Sequence, residues 1–186
     1  CSFVSASVEK TFSMMDPYLD ALAREIALMG ASVKRLGLRI KSVYLGGGTP
    51  TTLSAAQLAR LLGTLERHFD LSHLAEYTVE AGRADTVTAE KLAVLRDHGV
   101  SRISINPQTM ENHVLRAIGR RHSEADVYAA MELAKASGIR HINMDLIAGL
   151  PEDNAAGFRR TLDKCLALGP DNLTVHTLAL KKGSRI

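Results

Sequence analysis

Cysteine is scarce in this chain, and that scarcity is the first constraint on what it can be. Two residues, Cys1 and Cys165, cannot build a disulfide framework, which suits a reducing compartment. Long apolar runs are also missing, since none approaches the roughly 18 residues that a membrane-spanning helix needs. The opening CSFVSASVEK has neither the basic start nor the apolar middle of a secretory signal. A cytoplasmic location with no membrane partner is therefore expected. Charge of one sign is not massed either: the net charge is +3, and Lys and Arg are interleaved with Asp and Glu. No polyanion-binding tract stands out, so nucleic acid is not an expected partner.

What is present suffices for one sizeable core, with 186 residues, 46% of them hydrophobic and 23% charged. Residues 1–186 are accordingly treated as one domain. Cys165, in the helical pattern TLDKCLALG, is expected to be a small core residue. Cys1 is odder. Methionine is the usual first residue, so a chain opening at Cys1 is expected to be part of something longer.

Short β-rich runs alternate with longer helical patterns. Strands are predicted over residues 41–45, 76–80, 102–105, 141–147 and 173–178. Helices are predicted over 16–36, 54–69, 88–97, 123–136 and 155–168. Ser54 with Gln57 forms a capping box and Thr88 an N-cap, while Gly99, Gly138 and Gly169 follow helical runs where a left-handed cap is needed. Such alternation implies a parallel sheet covered by helices, either an open doubly wound sheet or a (β/α) barrel. In both, chemistry gathers at the C-terminal strand ends. Glycines and polar residues recur there: Gly46 to Thr49, Glu80, Asn106 with Gln108, Asp145 with Gly149, and His176 with Ala179. That recurrence favours a barrel.

The run SVYLGGGTPTTL, residues 42–53, decides more by what it lacks. A phosphate-cradling Walker loop needs a lysine after its glycines, and none follows before the next helix. A dinucleotide fingerprint needs a glycine at position 51, which is Thr51. A plain β-to-α turn needs fewer than three glycines, so the run is expected to bring backbone close to a ligand. His113, His122 and His176 match no zinc spacing and are expected to be helix-end or surface residues. His176 could still face a barrel lumen.

LGGGTPT, TVEAGR, ISINPQT, IGRRH and INMDLIAGLP, in this order along the whole chain, resemble the radical S-adenosylmethionine (SAM) enzymes of the oxygen-independent coproporphyrinogen III oxidase family. VEAGR with INPQTM is most similar to its coproporphyrinogen dehydrogenase branch. The resemblance implies a partial (β/α) barrel core whose first strand lies outside this chain, truncated at both ends. It also implies a [4Fe–4S] cluster bound by Cys-x3-Cys-x2-Cys, with Cys1 as the third ligand, and SAM chelated by the iron left open. Cleavage of SAM would yield a 5′-deoxyadenosyl radical that takes hydrogen from a porphyrinogen propionate, with loss of CO2 and of one electron to an acceptor leaving a vinyl group. The implied partners are a porphyrinogen or haem-like small molecule and an electron donor protein. A piece holding one cluster cysteine is expected to be inert alone.

By the same resemblance, Gly47 and Glu80 meet the cleaved SAM, while Gly48, Thr49, Gln108, Arg120, Asp145 and Ala179 fall where one member type lines a second SAM site. Asp145 also stands out on physical grounds, because a carboxylate within an apolar strand needs a partner or a ligand. The chain departs from the family at Arg83-Ala84, where many relatives carry a proline, and at Asn106-Pro107, where others have glycine and a small apolar residue. Two other activities fit the same motifs: haem-binding trafficking by family members, and radical chemistry on RNA, which should show a basic face.

Overall fold

The computed structural model describes residues 8–179, with side chains from residue 13 onward. Helix α1 (Val8–Arg35) leads into strand β1 (Ser42–Leu45). There follow α2 (Ala55–His68), β2 (Glu76–Ala81), α3 (Ala89–Asp97) and β3 (Arg102–Gln108). The short α4 (Asn112–Ala117) and α5 (Glu124–Ala136) precede β4 (His141–Ala148), and α6 (Ala155–Ala167) precedes β5 (Asn172–Thr177).

All five strands are parallel and lie in chain order, β1-β2-β3-β4-β5. A doubly wound sheet reverses its strand order at a switch point; here no reversal occurs, and β1 and β5 remain unjoined edges. The sheet is an open arc of a barrel. Winding in one sense puts successive crossover helices on one face, and α1 packs on α2, α2 on α3, and α3 on α5.

The predicted helix signals do their physical work. Ser54 accepts from the Gln57 backbone N–H at 3.2 Å and the Gln57 side chain accepts from Ser54 N–H at 3.0 Å, which satisfies two donors that a helix start leaves open. Ser123 and Asp126 form a second box, and Thr88 and Asn154 cap α3 and α6. Gly99, Gly138 and Gly169 hold φ of 75°, 83° and 59°, the left-handed conformation that ends a helix cheaply only at glycine. Two boundaries differ: β3 runs on to Gln108, and the helix expected from residue 16 begins at Val8, so Pro17 lies inside it; its ring is exposed, where water can take the carbonyl left without a donor.

Alternate strand residues form the core. Tyr77, Val79 and Ala81 on β2, Ile103 and Ile105 on β3, and Ile142, Met144 and Leu146 on β4 are buried against Leu58 and Leu62 of α2, Leu92 and Leu95 of α3, Val127 and Met131 of α5 and Cys165 of α6. Cys165 is 0% exposed, as expected of a small core residue. Burying each large side chain contributes about 1.5–3 kcal/mol. Met144→Ala, at the centre of this layer, is expected to lower unfolding free energy by about 2–5 kcal/mol in urea titration. Leu166→Ala, at an exposed position on α6, should change it by less than about 0.5 kcal/mol.

Candidate functional site

The residues that alternate with this core line the other face of the sheet, and apart from Ile147 near the end of β4 they are mostly polar, with Tyr44, Thr78, Glu80, Ser104, Asn106, Asn143, Asp145 and Thr174 among them. They are joined across strands. Asn143 donates from Nδ2 to Ser104 Oγ at 2.8 Å and to Asp145 Oδ1 at 2.7 Å. Ser104 donates to Asn106 Oδ1 at 2.7 Å, and the Thr174 hydroxyl donates to Asn143 Oδ1 at 3.2 Å. Asp145 thus has a partner for one oxygen. Asn106, one of the two family departures, is part of this network rather than a loop feature. Ser104 and Asn143 are each 4% exposed, and burial at that level requires such bonding. His176 lies two residues beyond Thr174 in β5 and so projects to the same face.

Parallel strands bring their C-terminal ends to one rim, where the glycine run divides its three residues among three physical demands. A Cβ on Gly46 would lie 2.6 Å from the Tyr44 ring and 3.3 Å from the Glu80 carboxyl carbon, so a side chain there would have to displace that ring. Gly47 has φ of 106°, a conformation other residues rarely adopt. Gly48 faces nothing within 4 Å of where a Cβ would be. Backbone is therefore open to a ligand at Gly47 and Gly48. Thr49 donates from Oγ1 to Gly48 O at 2.5 Å and precedes a tight turn at Pro50–Thr52, its own carbonyl accepting from Thr52 N–H at 2.9 Å.

That turn is anchored to the next one. Thr51, 1% exposed, shares a 2.6 Å hydroxyl bond with Thr86 after β2. Lys91 Nζ donates to Thr51 O at 2.6 Å and to Thr86 O at 3.1 Å, and burial pulls its pKa below the usual lysine range. Nothing in the sequence pattern singled out Lys91.

At the end of β3 the register shifts between Ile105 and Gln108, a bulge that accommodates Pro107 within the strand. Gln108 has φ of 68° and is 7% exposed, and its side-chain amide has no hydrogen-bond partner among the described residues. A left-handed glutamine costs about 1–3 kcal/mol, and such strain clusters at ligand sites. Beside it, Pro107 O contacts Nε2 of His122 at 3.4 Å. His122 is 3% exposed, which corrects the expectation of a surface or helix-end histidine: it is the pin that holds the GRRH segment under β3. Arg120, in the same segment, is half-buried, and its guanidinium has no bonded partner among the described residues. Burial and the neighbouring Arg83 charge lower its pKa, with Asp85 opposing.

Ala179 is exposed just beyond β5, next to Leu178, whose N–H donates to Ala148 O at 3.0 Å. The structure thus brings Gly47, Gly48, Thr49, Glu80, Gln108, Asp145 and Ala179 to one rim and places Arg120 in the segment pinned beside it. Cys1 lies outside the described residues. Among the described residues no group of three or more His, Cys, Asp or Glu could hold a metal ion, and no helix is long and apolar enough to cross a membrane.

The polar rim on an unclosed parallel barrel has a family match. The model of the Radical SAM superfamily matches residues 8–165. The chain belongs to the radical SAM superfamily. It is 40% identical over its whole length to the oxygen-independent coproporphyrinogen-III oxidase-like protein HemZ of Bacillus subtilis, spanning 37% of that protein. It is 36% identical to the heme chaperone HemW of Lactococcus lactis over 97% of this chain and 45% of that one. The solved coproporphyrinogen III oxidase HemN of Escherichia coli superposes with a TM-score of 0.80 at 32% identity, over 95% of this chain and 39% of that one. The chain thus spans less than half the length of these relatives.

Radical SAM proteins use a [4Fe–4S] cluster and SAM. The rim fits SAM: it offers open backbone at Gly47 and Gly48, carboxylates at Glu80 and Asp145, and an unpartnered amide at Gln108. The described residues do not supply the cluster. Cys165 is sealed in the core on the helix side, and burial pushes its thiol up to about 12, far from the thiolate a cluster iron needs.

Burial pushes the His122 imidazole below its ordinary value, opposed by its bond to Pro107 and the charges of Asp85 and Asp126. The folded state therefore binds this proton less readily than the unfolded chain. The resulting stability is whole above the unfolded value of about 6.5 and is lost as the pH falls below it. Urea titrations from about pH 7 down to about pH 5 should show declining stability. His122→Gln, which keeps an N–H donor for Pro107, should flatten that decline; equal slopes for the two proteins would count against the assignment.

Proposed function

We propose that this chain is the SAM-binding core of a coproporphyrinogen oxidase-like enzyme of haem biosynthesis. The proposed reaction is oxygen-independent oxidative decarboxylation of coproporphyrinogen III propionates to vinyl groups. The observation that carries this reading is the rim itself: strained Gln108, open Gly47 and Gly48, and Glu80 and Asp145 on one polar face, in a chain 34% identical over 164 residues to the oxygen-independent coproporphyrinogen III oxidase of Escherichia coli.

In this reading each residue has a physical task. The edge of backbone at Gly47 receives the methionyl carboxylate and ammonium of SAM, and Glu80 accepts from that ammonium. Gly48, Thr49, Gln108, Arg120, Asp145 and Ala179 form a second pocket at the same rim. There Gln108 and Asp145 hydrogen-bond a polar ligand, and Arg120 binds a carboxylate in a setting where partial burial strengthens the attraction. Bound and reduced, the cluster and SAM supply a 5′-deoxyadenosyl radical for hydrogen abstraction from substrate. The polar network of Ser104, Asn106, Asn143 and Thr174 keeps the floor of the site rigid. Cys1 is the cluster ligand that this chain contributes, an electron donor protein completes the system, and a reducing, cytoplasmic setting suits its thiolate.

A second reading, haem trafficking, is favoured by the 36% identity to a heme chaperone over 97% of the chain. The two separate in one experiment on the full-length protein, reconstituted anaerobically with iron and sulfide and given reductant, SAM and coproporphyrinogen III. The oxidase reading expects 5′-deoxyadenosine and decarboxylated porphyrinogen to accumulate in proportion. Haem binding with no porphyrinogen turnover supports trafficking and overturns the oxidase. For the cluster, iron and sulfide analysis of Cys1→Ser should show loss of the bound [4Fe–4S] group, and Cys165→Ser should retain it.

A further inference from the structure

Glu80 does not stand alone on the polar face. β1 pairs with β2 so that Tyr44 lies opposite Thr78, two residues before Glu80, and the Tyr44 hydroxyl donates to Glu80 Oε1 at 2.5 Å. Tyr44 is 62% exposed, so core packing does not account for its place. Its ring fills the space that a side chain at Gly46 would need, the missing Cβ lying 2.6 Å from the ring and 3.3 Å from the Glu80 carboxyl carbon. Tyrosine, glycine and glutamate interlock at the root of the glycine turn. Glu80 Oε2 makes no hydrogen bond among the described residues.

We propose that Tyr44 is the positioning residue for Glu80: its hydroxyl occupies Oε1, holds the carboxylate in one orientation, and leaves Oε2 directed to a ligand ammonium beside Gly47. This rests on the reading of Glu80 as a SAM contact and adds to it a residue from the neighbouring strand. Desolvation and the bond to Glu80, reinforced by the Glu80 and Asp145 charges, push the phenol up to about 12, so it remains a donor throughout the working pH range. A bond from a neutral hydroxyl to a carboxylate belongs to the stronger class of hydrogen bonds. The opposite role, a plug that SAM must displace, makes the opposite prediction, because removing the hydroxyl would then tighten binding.

SAM affinity of the cluster-loaded full-length protein, measured by equilibrium dialysis, separates these. Tyr44→Phe keeps the ring and its packing and should weaken SAM binding by about tenfold. Glu80→Gln should weaken it as well, and adding Tyr44→Phe to Glu80→Gln should change it by less than about twofold, because the tyrosine acts through the carboxylate. Unchanged or tighter binding in Tyr44→Phe, with Glu80→Gln still weakened, overturns the positioning role and leaves the Glu80 reading standing. Unchanged binding in Glu80→Gln overturns both, and additive losses show that Tyr44 does not act through Glu80. A second readout needs no SAM: in tyrosinate absorbance titrations, Glu80→Gln should bring one phenol down from about 12, and Tyr44→Phe should remove that transition. Equal thermal midpoints for wild type and Tyr44→Phe would exclude a purely structural role.

Discussion

Along each strand successive side chains leave opposite faces of the sheet, and here that period of two is kept in register from β1 to β5 as far as the shift after Ile105. One set of positions, such as Val79, Ile103 and Met144, meets the helices; the other, such as Glu80, Ser104 and Asn143, is driven to the opposite face. A slip of one residue in any strand would put carboxylates and amides into the core and apolar groups at the site. Stability and binding chemistry are thus held by the same pairing, and the apolar side enforces where the polar side points.

Where that regularity breaks, it breaks at the rim. The bulge before Gln108, the φ of 106° at Gly47 and the proline within β3 all fall at C-terminal strand ends, where backbone strain can be supported by the packed layer below. Regular strands carry the site; irregular ends shape it. His122 and Lys91 reinforce those ends from beneath, one through a carbonyl of β3 and the other through carbonyls of two loops.

Much of this was legible in the sequence for identifiable reasons. The five strands were placed within a few residues because β-rich runs, capping boxes and terminal glycines each bound an element locally, and the strand-end glycines and carboxylates marked the rim. The start of α1 lies eight residues before the predicted one, and the exposed Pro17 is tolerated inside the helix. α4 is a six-residue helix without a side-chain cap, too short for a periodic signal. Tyr44, Lys91 and Asn143 were missed because their importance lies in partners 36, 40 and 39 residues away, and only the register of a parallel sheet brings such pairs together. His122 resisted the pattern because nothing local reveals that a histidine between an arginine pair and a helix cap is sealed under a strand.

The loops at the top of such barrels are commonly regarded as interchangeable parts, each carried by its own strand and helix. The ammonium of Lys91 argues otherwise for the first two in this chain, since it reaches from α3 to a carbonyl in each of them. They form one module with three points of attachment. Transplanting the glycine turn into another barrel, or importing a new second loop, would therefore succeed only if the donor and recipient agree at the opening turn of α3. Substitutions in either loop are expected to depend on the other's sequence, so that variation in the two is inherited together.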